Sequence, residues 1–417
     1  MKKKISIVGG GIIGCLTAML LNKKGYIVSI IEKSDQLGGV LKDDTFKENI
    51  FLKGTQYFNA DENWFKNINK LLPNSFEIFK YNYGSITQID NKKSISKKFA
   101  IPILNIKNLE EKDFLQNENE VKTLEDRLNL YPKKISKLLI TLIKNYNFPS
   151  NFLSANCVNS LQLSRIYLIN YDSLVEKLKK NNFFDEILAL EKKKIFKGDL
   201  SYSLPIHGYN SFFKNFLSEL KKLNITVSLN LRVNPIWKNN NLKIYNDKNE
   251  EIISDYILWT GNPTKLIKSY NSDELDSFIF RNIQINANLK KDCKKNFFLQ
   301  TYIKNSQILR IHLYKLNKIS KIGIECVDKN IDLKSIINEA KTILKNFDYN
   351  LKIDDSTINK KFSARYDLIS INDVKTINSF QKLTEKTNLL YSPWLIYGRE
   401  NKMNSIVQKL EERKIIK

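Results

Sequence analysis

Gly9, Gly11 and Gly14 stand in the spacing GxGxxG directly after the apolar run KISIV. That spacing suits a phosphate. The first glycine permits a tight turn out of a strand. The second lets backbone amides approach a pyrophosphate, and the third lets the next helix pack close to the sheet. Amides and dipole at the helix start, where Ile12 and Ile13 stand, attract negative charge. The following run YIVSIIE ends in Glu32, with Lys33 after it. A carboxylate there can accept hydrogen bonds from both hydroxyls of an adenosine ribose.

The positioning elements are legible around these residues. KISIV is rich in β-branched residues and reads as a short buried strand. CLTAMLLNKKG reads as a helix with Leu16, Met19, Leu20 and Leu21 apolar, ending at Gly25. YIVSIIE is the second strand. Strand, glycine turn, helix, strand and acid form a complete βαβ unit, the context that makes the glycine motif specific. The segment also imitates a secretory signal, since MKKK precedes an apolar run. Its glycines argue against a continuous spanning helix, and no other stretch is long and uncharged enough to cross a bilayer.

A chain of 417 residues is too long for one comfortable core, so two lobes are expected. At 42% hydrophobic and 11% aromatic it is not a mainly disordered chain. Cys15, Cys157, Cys293 and Cys326 are scattered without a CxxC pair, which argues against a disulfide framework or zinc ribbon and fits a reducing cytoplasm. With only His207 and His312, no histidine-rich metal site is expected. Lys+Arg is 68 against 44 Asp+Glu, a net charge of +24. The excess is nearly all lysine, dispersed beside Asn, Ile, Phe and Tyr as AT-biased codon usage would produce. Arginine, which reads base edges and grips phosphates bidentately, is scarce. Specific nucleic-acid binding is therefore not expected. The charge permits weak peripheral membrane contact and anionic substrates.

After Glu32 comes KSDQLGGVL, with the pair Gly38-Gly39. An acid followed within a few residues by two glycines resembles the N-terminal signature of the FAD-dependent amine-oxidase-like superfamily. That group includes amine oxidases, protoporphyrinogen oxidase, phytoene desaturases and UDP-galactopyranose mutase. FLKGTQYF, from Phe51, resembles its "G-x-H-x-F" strand. LPIHGYNSFFKNFLSEL, from Leu204, resembles its "P-x-x-G-Y/M" turn and the helix after it. VSLNLRVNPI resembles the strand whose valine, here Val233, holds the adenine. SDYILWTGNP resembles the returning strand with its small-residue turn at Gly261. Gly398-Arg399, then Met403-Asn404-Ser405 and a helical IVQKLEER, resembles the closing "G-R…M-D" element, whose glycine-arginine step meets the flavin diphosphate. The resemblance implies FAD, with the start of the last helix at the pyrimidine edge of the ring. Gln36 and Val40 stand where amine oxidases place a basic residue, Gln56 replaces the mutase histidine, and Asn404 replaces the frequent aspartate. These departures weaken transfer of any one activity.

The resemblance implies an α/β fold whose Rossmann-like FAD-binding lobe is discontinuous, over residues 1–60, 195–270 and 385–417. An α+β substrate lobe takes 61–194 and 271–384. The first insertion looks helical: DRLNLYPKKISKLLITLIKNY and YDSLVEKLKK have apolar residues at three-four spacing, punctuated by Pro132 and Pro149. In the second, INANLKK, FFLQTYIK and QILRIHLYKL suit a strand meander, GIECV adds a strand, and the helix SIINEAKTILKNF follows.

On the substrate side, Arg310 shares a strand face with His312 and is a candidate contact for a carboxylate or phosphate; the alternative is an outer-face arginine. Arg365 and Tyr366 are comparable, with an ion pair to Asp367 as the alternative. Arg165 is a third candidate anion contact, otherwise a helix-surface residue. Tyr209 walls a pocket or packs in the core; His207 and Cys15 read as structural. The leading expectation is an FAD-dependent oxidoreductase taking hydride from a small molecule, followed by a flavin-dependent sugar isomerase resembling UDP-galactopyranose mutase, acting on a nucleotide-sugar. A non-catalytic binding protein on the same fold is the third.

Overall fold

The computed structural model describes residues 2–54, 56–80, 82–89, 92–103, 110–114, 121–144, 149–188, 201–276, 278–293, 295–328, 330–390 and 393–416. Two sheets organise it. The first has five parallel strands in the order Thr226–Ser228, Ile27–Ile31, Lys4–Val8, Tyr256–Trp259, Leu389–Leu390. The chain runs from its central strand Lys4–Val8 out to one side, then returns on the other at Tyr256–Trp259. Order reverses there, and in open parallel sheets ligands bind beyond the strand carboxyl ends at such a point.

Both faces of this sheet are covered, as a buried parallel sheet requires. On one, the helices Ile12–Lys23, Gly208–Lys222 and Arg399–Glu412 bury Leu16, Phe213, Phe216, Ile406 and Leu410 in one cluster with Ile5 and Ile7. Gly25, at φ 90°, ends the opening helix in the left-handed conformation glycine tolerates. On the other, Val8, Ile257 and Trp259 pack with Leu266, Ile377 and Phe380. The helix Ile371–Leu383 therefore packs on the parallel sheet, although it falls within the 271–384 stretch.

The second sheet has seven strands, ordered Asn359–Leu368, Phe278–Asn288, Ile319–Val327, Ile308–Leu316, Phe297–Ile303, Asn82–Ile89, Lys92–Ser96. Three consecutive strands, 297–303, 308–316 and 319–327, form a meander that takes in GIECV but not INANLKK, which was expected to open it. Phe278–Asn288 pairs beyond it, with 319–327 and 359–368. The first insertion is not only helical. It contributes Asn82–Ile89, which joins the sheet parallel to Phe297–Ile303, and Lys92–Ser96 at the edge. The run SITQI carries the period-two alternation of a strand, which the stronger helical patterns downstream mask. The outer face of the sheet, including Ile283, Ile285, Ile311 and Ile324, buries against Ile336, Ala340 and Ile343 of the helix Leu333–Lys345. Asp332 caps that helix by accepting from the amides of Lys334 and Ser335.

A separate helical layer carries its own core, including Leu124, Leu139, Leu142, Val175 and Phe184. Thr123 and Asp126 form a capping box at the helix Leu124–Asn129, and Pro132 stands between it and the helix Lys133–Lys144. Lys179 is fully buried there. Its ammonium meets Asp185 Oδ1 at 3.0 Å and donates to the carbonyls of Asp185 and Leu188 at 3.1 and 2.5 Å. Such pairing is what a buried charge requires.

Candidate functional site

The turns after Lys4–Val8, Ile27–Ile31 and Tyr256–Trp259 converge at the carboxyl end of the parallel sheet. Gly9 (φ 115°) donates its amide to Ile31 O at 2.9 Å, and a Cβ on it would lie 2.6 Å from Thr260 Oγ1. Gly14 sits so close beneath that a Cβ would fall 2.1 Å from Gly9 O. Gly11 differs: it caps the helix Ile12–Lys23 with ordinary extended backbone (φ −69°), and a Cβ on it meets nothing within 4 Å. The helix start therefore opens onto free space, with no acidic side chain in its first turn and no side-chain cap on its amides. A diphosphate fits such a cradle: orphan donors and the positive dipole end face open volume.

Glu32 stands beside it, 7% exposed. Its Oε2 accepts from Gly10 N at 2.7 Å and its Oε1 from Ser34 N at 2.8 Å. Each oxygen keeps a lone pair for a further donor. Lys33 is exposed. The backbone of 228–231 lies alongside, with Glu32 N donating to Ser228 O and Leu231 N to Glu32 O, and Val233 buries against Val8 and Ile31. Gly38 donates its amide to Gly10 O at 2.8 Å, and Gly39 (φ 61°) brings its own Cα side against Gly11, where a Cβ would lie 3.3 Å from Gly11 Cα.

The carboxyl-terminal segment reaches the same place. Trp394 Nε1 donates to Gly261 O at 3.1 Å. Gly398 (φ 85°) turns the chain into the helix Arg399–Glu412, which begins already at Arg399 rather than at the IVQKLEER run, so Met403 lies inside the helix. Arg399 donates to Tyr57 O and Gln56 Oε1 at 3.0 and 3.1 Å, binding the FLKGTQYF segment to the tail. Met403 Sδ is 3.9 Å from Thr17 Oγ1, and Tyr26 Oη donates to Ile415 O at 2.6 Å. Opening and closing helices, nearly the whole chain apart in sequence, thus pack together.

Across from these turns lies the inner face of the seven-stranded sheet. Arg310 is buried, not an outer-face arginine, with NH1 3.6 Å from Glu325 Oε2. His312 stacks on Tyr314 with ring centroids 4.7 Å apart, and Tyr314 Oη accepts from Leu52 N at 3.1 Å. Tyr57 bridges the two sides. Burial pushes its phenol well above the usual range, opposed by Arg310 and Arg399. Glu62, near Arg399, is pushed up to about 7 by burial and by Glu400. The other sequence candidates fall elsewhere. Arg165 sits in the helical layer near Asp185 and Tyr131. Tyr209 is a fully buried core residue edge-on to Phe58, Cys15 is fully buried, and His207 Nδ1 meets Asn317 Oδ1 at 2.8 Å. The side chains of Arg365 and Tyr366 lie outside the described residues. Among the described residues no cluster of His, Cys, Asp and Glu could hold a metal, and no helix is long and apolar enough to cross a membrane.

Sequence reasoning passed over Glu325, Tyr57, Glu62 and Asp43. Only Glu325 carries a signal, as an acid in an apolar strand run. Asp43 Oδ2 accepts from Asn210 N at 2.8 Å at the start of the helix Gly208–Lys222, and a Cβ at Gly208 (φ 83°) would lie 2.4 Å from that oxygen. Burial pushes the Asp43 carboxyl up to about 6, although the amides of Asn210 and Tyr209 pull it down. A carboxyl whose folded pKa exceeds its unfolded value binds its proton more tightly when folded, so it favours folding at low pH and loses that advantage as pH rises from about 4 to about 6. The shift corresponds to up to about 3 kcal/mol. Asp43→Asn keeps a capping acceptor without the charge. In denaturant unfolding, its stability relative to wild type is expected to improve as pH rises through that window. A difference that stays constant with pH would show that Asp43 does not titrate there.

Comparison with known proteins agrees with this geometry. Residues 7–71 match the family described as NAD(P)-binding Rossmann-like domain. A 4,4'-diapolycopen-4-al dehydrogenase of Metabacillus indicus is 60% identical over 38 residues, 9% of this chain and 8% of that protein. A methylenetetrahydrofolate–tRNA-(uracil-5-)-methyltransferase of Mycoplasma capricolum is 23% identical over 403 residues, 84% of this chain and 89% of its own. Among solved structures, reduced UDP-galactopyranose mutase superposes with a TM-score of 0.68 at 12% identity, over 100% of this chain and 95% of that one. A putrescine oxidase variant gives 0.61 at 12%, over 99% of each chain. A protoporphyrinogen oxidase homologue from Exiguobacterium sp. 255-15 gives 0.59 at 10%, over 100% and 99%. With a Rossmann-like match over residues 7–71 and these full-length superpositions, the chain has the fold that UDP-galactopyranose mutase, putrescine oxidase and the protoporphyrinogen oxidase homologue share.

Proposed function

We propose that the chain binds FAD and is an oxidoreductase in which a small-molecule substrate, held between the two sheets, passes hydride to the flavin. The observation that supports this reading is that the glycine turn, Glu32 and Gly38-Gly39 are bonded together at the carboxyl end of the parallel sheet with open space at Gly11, and that the tail segment reaches them through Trp394 at Gly261 and Met403 at Thr17. In it the amides at Gly11, Ile12, Ile13 and Gly14 hold the diphosphate, Gly9, whose own amide is bonded to Ile31 O, shapes the turn, and Gly38 and Gly39 let the chain run beside it. Glu32 holds the ribose, flanked by Lys33, and Val233 lies against the adenine. Gly261, Gly398, Arg399 and Met403 line the flavin end. Bound flavin supplies the hydride acceptor, so no catalytic His or Cys cluster is needed. The protein orients substrate and excludes water; Arg310, already paired with Glu325, orients through a neutral pair. Arg365 and Tyr366 remain further proposed substrate contacts. Four buried free cysteines suit a reducing compartment, and we place the protein in the cytoplasm.

The purified protein is expected to show the absorption spectrum of oxidised flavin and to release FAD on denaturation. Protein that carries no flavin and takes none up on reconstitution would sink the reading. The mutase superposition favours one alternative, a flavin-dependent isomerase acting on a nucleotide-sugar. Anaerobic mixing separates the two. An oxidoreductase bleaches its flavin with substrate, whereas the isomerase turns over only after chemical reduction and with no net redox change.

A further inference from the structure

The amino end of the parallel sheet, opposite the glycine turns, collects positive charge. The helices Ile12–Lys23, Gly208–Lys222 and Ile371–Leu383 each lead into a strand of this sheet, and Arg399–Glu412 runs back from the last one, so all four finish at that end. Their last turns carry Lys23, Lys221 and Lys222, Lys382, and Lys409. Hydrogen bonds join these exits to the strand starts. Ile27 N donates to Lys3 O, Asp255 N to Lys4 O, Tyr26 Oη to Ile415 O, and Arg413 NH1 to Leu389 O.

The segments at this end, 2–4, 22–27, 219–226, 253–256, 382–388 and 409–416, hold twelve Lys and Arg against five Asp and Glu. That is +7 of the chain's +24 on 36 of its 417 residues, more than three times the density of the whole. A basic last turn answers its own helix dipole, but four helix ends supply only about −2 in all. The net charge survives the local ion pairs, Lys222 with Glu219 and Lys409 with Glu412, and the neighbouring Glu251 is taken up by Lys243. Lys3, Lys4, Lys24, Lys222 and Lys386 are exposed. Two apolar side chains stand among them. Ile27, 47% exposed, opens one neighbour of the central strand, and Ile253, 77% exposed, leads into the other. An anionic lipid surface suits this combination. Lysines attract charged headgroups without geometric demands, and exposed isoleucines enter the boundary beneath them. Nucleic acid suits it less. Arg413 is the one arginine of these segments, and its guanidinium is bonded to Leu389 O and Thr387 O. Tyr26 and Tyr256 pack against the core beneath instead of standing out as platforms for bases.

We propose that the amino end of the parallel sheet is a docking face for an anionic membrane surface, which leaves the carboxyl end with its glycine turns pointing toward water. Docking there does not involve the cofactor site, so the protein as purified serves for the test, with or without flavin. In flotation it is expected to rise with phosphatidylcholine vesicles carrying about 30 mol% phosphatidylserine, to stay behind with phosphatidylcholine alone, and to be released by about 0.5 M salt. Each lysine near such a surface strengthens binding about fivefold, so Lys24→Gln, Lys222→Gln and Lys386→Gln combined should weaken partition by about a hundredfold. Ile253→Ser should weaken it by about tenfold, since its side chain no longer gains from leaving water. All four sites are exposed, so Tm should hold in both variants. Lys334, Lys345 and Lys352 are exposed on the helix Leu333–Lys345 and just after it, beside the other sheet. Changing these three to Gln removes the same charge and should leave partition within about threefold of wild type, because they lie beyond the reach of screened attraction to the docked surface. No binding to the phosphatidylserine vesicles overturns the proposal. So does equal weakening by the two triple variants, which would make net charge the cause, and so does binding of RNA with none of vesicles.

Discussion

Gly11→Ala is expected to fold normally and bind its cofactor poorly, while Gly14→Ala, three residues on, is expected to lose much of its stability. The two glycines serve different contacts. A Cβ at Gly14 would lie 2.1 Å from Gly9 O, inside any real contact distance, and the obstructing atom is backbone. The opening strand or helix must shift to admit it, at a cost on the order of 3 kcal/mol, which the better helix propensity of alanine, about 1 kcal/mol, does not offset. At Gly11 the added methyl meets nothing within 4 Å and the backbone is already extended. The cofactor-free protein should therefore keep its Tm. The methyl instead occupies the space through which a diphosphate approaches the helix amides, weakening FAD by about 10- to 100-fold. Thermal unfolding of the cofactor-free variants and fluorescence titration with FAD read the two effects separately. Full flavin occupancy in Gly11→Ala would show that no phosphate comes near that turn.

The βαβ unit is legible in the sequence because its determinants are local. Strand, turn, helix and acid lie within residues 4–32, and each conformational demand falls on a residue type that meets it. The seven-stranded sheet is not legible in the same way. Asn82–Ile89 pairs with Phe297–Ile303 across more than half the chain, and the pairing is decided by packing rather than by anything either segment carries alone. The inner face misleads for a related reason. Asn282, Gln284 and Asn286 alternate with Ile283 and Ile285, the pattern of a strand with one dry and one wet side. Here the wet side is closed by the other lobe. The same logic leaves Arg310 open between a substrate contact and an outer-face residue, and Glu325 escapes notice, because period two reports that two faces differ and not what covers the polar one.

That closure explains how one fold serves two demands. The dinucleotide turn exposes backbone amides, which every sequence possesses, so its requirements are spacing and small size. The sheet face offers side chains, and its chemistry is free to vary while the outer face and the helix Leu333–Lys345 keep the sheet in place. The same division explains why Gln56 differs from the mutase pattern without disturbing the fold: its Oε1 accepts from Arg399 and so still ties the segment to the tail helix.

Glu32→Ala should abolish stable flavin occupancy. The carboxylate holds the amides of Gly10 and Ser34 at 2.7 and 2.8 Å, which shapes the turn, and its remaining lone pairs are the acceptors proposed for the ribose. Hydrogen bonds to a charged group contribute about 1.5–3 kcal/mol each, so losing two ribose contacts weakens FAD by about two to four powers of ten. The cofactor-free variant is also destabilised, because the Gly10 amide loses its buried acceptor. Glu32→Gln separates these effects. One side-chain oxygen remains to accept from Gly10, so its Tm should stay near wild type, while the amide loses both the charge and one acceptor and FAD still binds at least about tenfold more weakly. Flavin content per chain after gel filtration, with Tm on the same samples, decides the matter. Wild-type flavin content in Glu32→Ala would mean that the carboxylate serves the turn alone and that the ribose is held elsewhere.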